Sequence, residues 1–294
     1  MLYNIELLIN GLLVGSLYAL IALGFVLIIK ATDIINFAQG EFVMLAGFIM
    51  AAGLHTYGLN LAFSIVLGVI GMIILALVVN RLVLQYMIGR PVVSVIMATI
   101  GLAAFLQGFA TFVWGVDTKN IPLPITEEPL FIFDVLLSPM ELAASAASFI
   151  CIGLVSWWFI KTRTGVALRA IADDQQVALA MGINVRYYFG ITWAVAGIIA
   201  VVGGIVWGHL LGVDVQLALV GLKVFPVVIL GGLDSIVGAI VGGLIIGVIE
   251  SIAAGYLDPL VGGGTKDFTP YVIMILVLMF KPYGLFGQEN IERV

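Results

Sequence analysis

The sequence predicts an all-α, polytopic membrane protein that crosses a lipid bilayer about eight or nine times. The chain has 294 residues, of which 63% are hydrophobic and 10% are charged, whereas an average soluble protein carries about 25% charged residues. Its mean hydropathy of +1.23 leaves too little polar surface to cover a water-soluble globule. Apolar segments long enough to cross a membrane recur along the chain. We therefore expect one transmembrane domain over residues 1–294.

Nine apolar segments are expected to form the membrane helices. Five of them reach the length of about 20 residues that a bilayer requires. The second, seventh and ninth are short, and short segments in transporters often mark broken helices beside the transport path. A long segment followed by a broken one occurs in both halves, which suggests an internal inverted repeat. The segments are Leu7–Ile29, Phe42–Leu54, Leu59–Val79, Val92–Trp114, Met140–Ile160, Tyr187–Leu211, Leu217–Leu230, Ile236–Ala254 and Phe268–Phe280.

The distribution of basic residues predicts the orientation in the plasma membrane. Most lysines and arginines fall in loops on one side of the predicted helices, and such loops face the cytoplasm. The N-terminus is then outside, the C-terminus is cytoplasmic, and the loop Gly115–Pro139 is extracytoplasmic. The residues on the cytoplasmic side are Lys30, Arg81, Arg90, Lys161, Arg163, Arg169, Arg186, Lys281 and Arg293; Lys119 and Lys266 lie on the other side.

The longest polar stretch on the cytoplasmic side, residues 161–186, is rich in alanine and predicts short helices. Asp173-Asp174 is expected to end one helix and cap the next, because a carboxylate accepts hydrogen bonds from free N–H groups. Gly182 is expected to close the second helix as its C′ residue. Such a segment can dock into a groove on a cytoplasmic partner, or it can lie in the lipid interface.

This stretch resembles the cytoplasmic coupling loop of ABC-importer permeases, with Gln176, Val177, Ala178 and Gly182 on the "E-A-A-three residues-G" pattern. Its more specific spacing resembles the branched-chain amino acid permease family, and within that family the H-type partner of a permease pair. The residues that carry this spacing are Arg163-Thr164-Gly165, Arg169-Ala170, Ala178 and Gly182-Ile183. Further matches are Asn36-Phe37-Ala38-Gln39-Gly40-Glu41 and Gly231-Gly232 followed by Gly238, Gly242-Gly243, Gly247 and Glu250.

The resemblance implies a transport subunit that works with other chains. It implies two cytoplasmic ATPase subunits that bind ATP and magnesium, a second permease that completes a heterodimer, and an extracytoplasmic solute-binding protein. This chain is expected to be neither an enzyme nor a cofactor binder, because Gly262-Gly263-Gly264-Thr265-Lys266 lacks the spacing of a phosphate-binding loop. The residues that the resemblance assigns to ATPase coupling are Thr164, Gly165, Arg169, Ala170, Gln176, Ala178 and Gly182.

Branched-chain or other neutral amino acids are the implied substrates. Two alternatives are an ABC importer for urea or short amides and an ATP-independent secondary transporter or channel. A third alternative, an intramembrane enzyme, lacks a set of His, Asp and Glu residues at catalytic spacing. The composition gives no basic surface for nucleic acid, so that class of partner is excluded.

Several polar or glycine positions within the apolar segments predict the substrate pathway. Irregular backbone at membrane depth must face protein or a water-filled cavity, so residues 36–41 either contact substrate or brace a broken helix. The expected pathway residues are Asn36, Phe37, Gln39, Gly40, Glu41, Gly231 and Gly232.

Four further ionisable residues lie in or beside the apolar segments. Lys223 either reaches the membrane interface or pairs with a carboxylate, and Glu250 has a functional or a structural role. His55 and His209 are expected to be satisfied locally, not to bind metal.

Overall fold

A computed structural model describes residues 2–87, 90–126, 128–132 and 135–287, so Arg293 lies outside the described part. The model confirms the all-α prediction. The helices are α1 (Leu2–Thr32), α2 (Gln39–Ala51), α3 (Leu61–Leu82), α4 (Val92–Trp114), α5 (Pro139–Lys161), α6 (Arg163–Asp173), α7 (Gln175–Ala180), α8 (Val185–Leu211), α9 (Leu219–Gly231), α10 (Ile236–Tyr256), α11 (Asp258–Val261) and α12 (Thr265–Phe280).

Among the described residues, six helices are long and apolar enough to cross a membrane: α1, α3, α4, α5, α8 and α10. One more segment reaches this length than the sequence predicts, because α10 continues to Tyr256. Three apolar helices are shorter: α2 and α9 have 13 residues each and α12 has 16. Each of the nine predicted apolar segments therefore corresponds to a helix. A small antiparallel hairpin in the loop before α5, β1 (Leu130–Ile132) with β2 (Val135–Leu137), was not predicted.

The chain forms two compact units. The described residues of unit 1 fall within Met1–Val26, Pro124–Ile150 and Lys223–Val294, and those of unit 2 within Leu27–Leu123 and Cys151–Leu222. Helices α1, α5 and α9 each contribute to both units.

Glycines hold unit 1 together where α1 packs against α10. A Cβ atom added to Gly15 would lie 2.7 Å from the carbonyl oxygen of Gly243, and one added to Gly247 would lie 2.4 Å from that of Gly11. Gly242 lies equally close to the backbone of Val227 in α9. Because small residues allow helix backbones to approach closely in a membrane, these contacts show that the glycines of α10 serve helix packing.

Helix α2 forms the centre of unit 2. Phe42, Met44 and Phe48 are fully buried, and the ring of Phe42 meets Trp193 of α8 edge to face at 5.8 Å between centroids. Beyond Ala51 the helix widens into one π-helical turn, Ala52–Thr56. The apolar residues of α2 thus pack on all sides against protein, which suits a helix too short to span the bilayer alone.

The two histidines of the chain hold one short loop in unit 2. His55 Nε2 donates to the carbonyl of Asn120 at 2.7 Å, and His209 Nδ1 donates to the carbonyl of Ile121 at the same distance. Lys119 also pairs with Val213 through two backbone hydrogen bonds. These contacts confirm the prediction that both histidines are satisfied locally.

Candidate functional site

The loop that precedes α2 is closed by a network of neutral polar groups. Asn36 is fully buried. Its Oδ1 accepts from the backbone N–H of Ala38 at 3.1 Å, and its Nδ2 donates to Gln39 Oε1 at 3.2 Å. From α4, the Thr99 hydroxyl donates to the carbonyl of Ile35 at 3.1 Å. One asparagine therefore ties the irregular backbone to the first turn of α2.

Gln39 carries the unsatisfied polar group of this network. The residue is 2% exposed, and its Nε2 has no hydrogen-bond partner among the described residues. A buried amide without a partner costs free energy, and such groups in native proteins often have a functional role. Beside it, Phe37 and Glu41 are partly exposed, and Glu41 makes no ion pair within 4 Å among the described residues.

Gly40 lies where the first turn of α2 crosses the start of α9. A Cβ atom on Gly40 would stand 2.1 Å from the carbonyl oxygen of Ala218, and one on Gly221 would stand 2.5 Å from the Cα of Gly40. Ala218 closes a 3₁₀ turn, Val215–Ala218, that leads into α9. The structure thus brings Asn36, Gln39 and Gly40 together and adds Gly221. The sequence signal for Gly221 was only a glycine early in a short apolar segment.

The other predicted pathway residues, Gly231 and Gly232, lie in unit 1 at the end of α9. A Cβ atom on Gly231 would lie 2.1 Å from the carbonyl oxygen of Gly238. Gly232 adopts φ of 109°, which favours glycine. The backbone N–H groups of Leu285 and Phe286 donate to the carbonyls of Leu230 and Gly231 at 2.8 and 3.0 Å. Close backbone packing surrounds this pair, and its part in a pathway stays a prediction.

A tight corner connects α5 to α6 in unit 2. The Thr162 hydroxyl caps α6 by accepting from the N–H of Gly165 at 3.2 Å. A Cβ atom on Gly165 would stand 1.9 Å from the carbonyl oxygen of Phe159. The guanidinium of Arg169 donates to that same carbonyl and lies 5.6 Å from the centre of the Phe159 ring. Gly165 and Arg169 therefore fix the direction in which α6 leaves the helix before it.

Both predicted caps of α7 are present. Asp174 Oδ1 accepts from the N–H groups of Gln176 and Val177 at 2.8 and 2.9 Å. At the other end Gly182 has φ of 82°, its N–H donates to Leu179, and that of Ile183 donates to Ala178. These are the two hydrogen bonds of a Schellman motif. The structure confirms the helix break at Asp173-Asp174 and the closing role of Gly182.

The α6–α7 segment, residues 162–183, has one buried and one exposed side. Ala178 is 3% exposed and packs with Ile171, Val185 and Phe189, so it anchors the segment to α8. Of the other predicted coupling residues, Gly165 is buried, Thr164, Arg169 and Ala170 are intermediate, and Gln176 and Gly182 are exposed. The segment also exposes three large apolar residues, of which the motif singled out only Val177: Val177, Leu179 and Met181, which are 57%, 59% and 78% exposed.

Unit 1 contains a charged cluster that joins four helices. Lys223 Nζ of α9 lies 2.8 Å from Asp267 Oδ1 of α12 and 3.8 Å from Glu250 Oε1 of α10. The hydroxyl of Tyr18 in α1 donates to that same Glu250 oxygen at 3.3 Å. The structure thus confirms one of the two alternatives for Lys223, pairing with a carboxylate. Sequence reasoning did not find Asp267 or Tyr18, since no local pattern connects them.

Comparison with known proteins gives a consistent result over nearly the whole length. The family model for "Branched-chain amino acid transport system / permease component" matches residues 7–278. The high-affinity branched-chain amino acid transport system permease protein LivH of Salmonella typhimurium is 29% identical over 100% of this chain and 98% of its own. BraD of Pseudomonas aeruginosa, described in the same words, is 29% identical over 99% and 98%. A probable LivH of Methanocaldococcus jannaschii is 30% identical over 95% and 91%.

One solved structure also aligns with this chain. PsaBC from Streptococcus pneumoniae in complex with Fab covers 92% of this chain and 94% of its own, at a TM-score of 0.45 and 15% identity.

Proposed function

Because this chain belongs to the family of branched-chain amino acid transport system permease components, we propose that it is a membrane-spanning subunit of an ABC importer for branched-chain or other neutral amino acids. The observation that carries this proposal is the family match over residues 7–278, together with full-length relatives whose names specify this transport. Shorter matches to permeases for autoinducer 2 and nucleosides cover 64% and 44% of the chain, which favours amino acids over those solutes.

The α6–α7 segment would receive the force of ATP hydrolysis from a separate subunit. Its residues Val177, Leu179 and Met181 expose apolar side chains outside the bilayer-length helices, and apolar side chains on a short helix can fit into a hydrophobic groove. On the opposite side, Ala178 and Ile171 pack on Val185 and Phe189 of α8. A push on the exposed side would therefore move α8 with the segment, because packed side chains transmit displacement.

We assign the α6–α7 segment and the C-terminus to the cytoplasm, and the N-terminus and the loop Lys119–Ile121 to the outside. The excess of basic residues at the ends of α5, α6 and α8 supports this orientation. The histidine-held loop would then face the solute-binding protein. A second permease would complete a heterodimer, and two ATPase subunits, with ATP and magnesium, would supply the energy.

The start of α2 is our proposed element of the substrate pathway in unit 2. Asn36 and Gln39 place neutral amide groups at the N-terminus of a short buried helix, where unpaired backbone N–H groups attract negative charge. Within the described part of the chain the Nε2 of Gln39 has no partner, so its two N–H donors are available there. Alternating access would open and close the crossing of Gly40 with Gly221.

The test is reconstitution of the complete transporter. The chain is purified in mild detergent with the subunits that accompany it, placed in proteoliposomes, and supplied with its binding protein. We expect ATP-dependent uptake of radiolabelled leucine, isoleucine and valine. A complex whose ATPase lacks its phosphate-loop lysine is the control and should take up none. Uptake by this chain alone, without ATP, would contradict the proposal and indicate a secondary transporter or channel.

A further inference from the structure

The charged cluster of unit 1 has a composition suited to an amino-acid head group. Lys223, Glu250 and Asp267 combine one cation with two carboxylates. Charged side chains within membrane helices are costly and usually mark a functional path. Lys223 and Glu250 offer one positive and one negative charge, the two charges that complement a zwitterion.

The distances leave Lys223 available to a ligand. Its close partner is Asp267, at 2.8 Å, whose side chain is 75% exposed. An ion pair at such an exposed carboxylate contributes little and exchanges readily. The second partner, Glu250, lies 3.8 Å away, which is too far for a hydrogen bond. The side chain of Lys223 itself is 28% exposed, so it can be reached.

Glu250 is the fixed member of the cluster. It is 4% exposed, and Tyr18, itself 3% exposed, orients its carboxylate by a hydrogen bond. The buried, oriented carboxylate of Glu250 and the partly exposed ammonium group of Lys223 present two opposite charges from two helices. The ammonium and carboxylate groups of an α-amino acid are attached to one carbon atom and so present two opposite charges to such a pair.

We propose that Lys223 and Glu250 receive the zwitterionic head group of the transported amino acid. Lys223 leaves Asp267 and binds the α-carboxylate, while Glu250, held by Tyr18, accepts hydrogen bonds from the α-ammonium group. This inference rests on the proposed function, because it takes an α-amino acid as the substrate. It adds a site in unit 1 that is separate from the predicted pathway residues of the chain.

The first test uses ligands that lack one charge. Binding of radiolabelled leucine to the assembled transporter without its binding protein is measured in phosphatidylcholine nanodiscs, whose quaternary ammonium groups cannot donate hydrogen bonds to Glu250. Isoamylamine lacks the carboxylate and 4-methylpentanoate lacks the ammonium group. We expect each to compete about tenfold or more weakly than leucine, as is usual when a charged hydrogen bond is lost.

The second test removes each receptor group in turn. In Lys223→Met, leucine should no longer bind more tightly than isoamylamine. In Glu250→Gln, leucine should no longer bind more tightly than 4-methylpentanoate. Such loss of discrimination measures the direct pairing of a side chain with a ligand group. Lys223→Arg should retain it. Asp267→Asn removes the carboxylate that leucine displaces from Lys223, so it should increase the advantage of leucine over isoamylamine and leave its advantage over 4-methylpentanoate unchanged.

The outcomes separate this site from the general function. Unchanged ratios in Lys223→Met and Glu250→Gln, with the complex assembled, would show that the cluster only braces the helices. Absence of leucine binding to a transporter that takes up leucine with its binding protein would also overturn the site. If the complete wild-type transporter takes up no branched-chain amino acid, the proposed function fails instead.

Discussion

The start of α2 and the α6–α7 segment carry the two clearest motifs of the chain. The residues of the two motifs differ in how far they are buried. At the start of α2, Asn36, Gln39 and Gly40 are all buried, and Gly40 touches the backbone of another helix. In the α6–α7 segment, a buried residue such as Ala178 has an exposed neighbour such as Val177. The residues of the first motif contact other parts of the same chain, whereas about half of the residues of the second motif are exposed. Burial therefore separates residues that build the fold from residues that meet a partner.

The largest effect should come from filling the crossing at the start of α2. Gly40→Val places a side chain 2.1 Å from a backbone oxygen, and we expect a loss of about 3 kcal/mol or more, since the added side chain would overlap backbone atoms of the neighbouring segment. Heating the purified complex and following the intact fraction by size-exclusion chromatography measures this loss. Gly108→Val in α4, where nothing lies within 4 Å, is the control. If the intact complex is lost at the same temperature in both variants, the close contact between α2 and the start of α9 would be contradicted.

The next effect distinguishes the two sides of the α6–α7 segment with adjacent positions. Val177→Asp puts a charge on the exposed side, and we expect recovery of the ATPase subunit to fall about tenfold while stability changes by about 0.5 kcal/mol or less. Ala178→Asp puts the same carboxylate into the buried cluster and should destabilise the segment by several kcal/mol. Co-purification and thermal melting report the two effects. Full ATPase recovery with Val177→Asp would argue that the exposed side lies against lipid.

A smaller effect is expected at the closing glycine of α7. Gly182 has open space around it, so a substitution acts only through its φ of 82°. Gly182→Val should cost about 1–2 kcal/mol, because a side chain in this conformation is strained, and should raise the ATP hydrolysed per amino acid transported. Gly182→Asn, which tolerates the left-handed conformation, should keep the wild-type ratio. An unchanged ratio in the valine variant would remove the segment from coupling.

The last prediction concerns the two amides at the start of α2. Gln39→Leu removes the oxygen that accepts from the buried Asn36 Nδ2, and Asn36→Leu leaves the N–H of Ala38 unpaired, so each should cost about 1–3 kcal/mol in the free energy of unfolding. We expect Gln39→Leu to lower the rate of leucine uptake in assembled complexes. Leucine uptake at the wild-type rate by Gln39→Leu would indicate that both amides only stabilise the loop before α2.

Local signals predicted the helices well where a helix has clear ends. Helix α4 occupies the predicted range Val92–Trp114, since Pro91 and Gly115 delimit it. Helix α2 begins at Gln39, three residues before the predicted Phe42, because the polar residues of the motif already form its first turn. The two caps of α7 were likewise predictable, as Asp174 and Gly182 act on their own neighbours in the chain.

Contacts between distant residues could not be predicted from sequence. Gly221 meets Gly40, and Asp267 meets Lys223, only because the fold brings their helices together. Each strand of the β1–β2 hairpin has three residues, which is too short to show the alternation of apolar and polar residues that predicts a strand. The sequence also predicted Ala178 as a coupling residue without indicating that its side chain faces the protein, because a motif specifies residue types and not the side of a helix that is covered.

The backbone hydrogen bonds at the end of α9 set an order of events during synthesis. The carbonyls of Leu230 and Gly231 receive their partners from Leu285 and Phe286. These partners leave the ribosome about 55 residues later, which takes roughly 3 to 11 seconds at about 5–20 residues per second. For that time the end of α9 must find substitute partners in water or in the insertion machinery. Deletion of residues 284–287 should therefore leave a full set of inserted helices whose last assembly step never finishes.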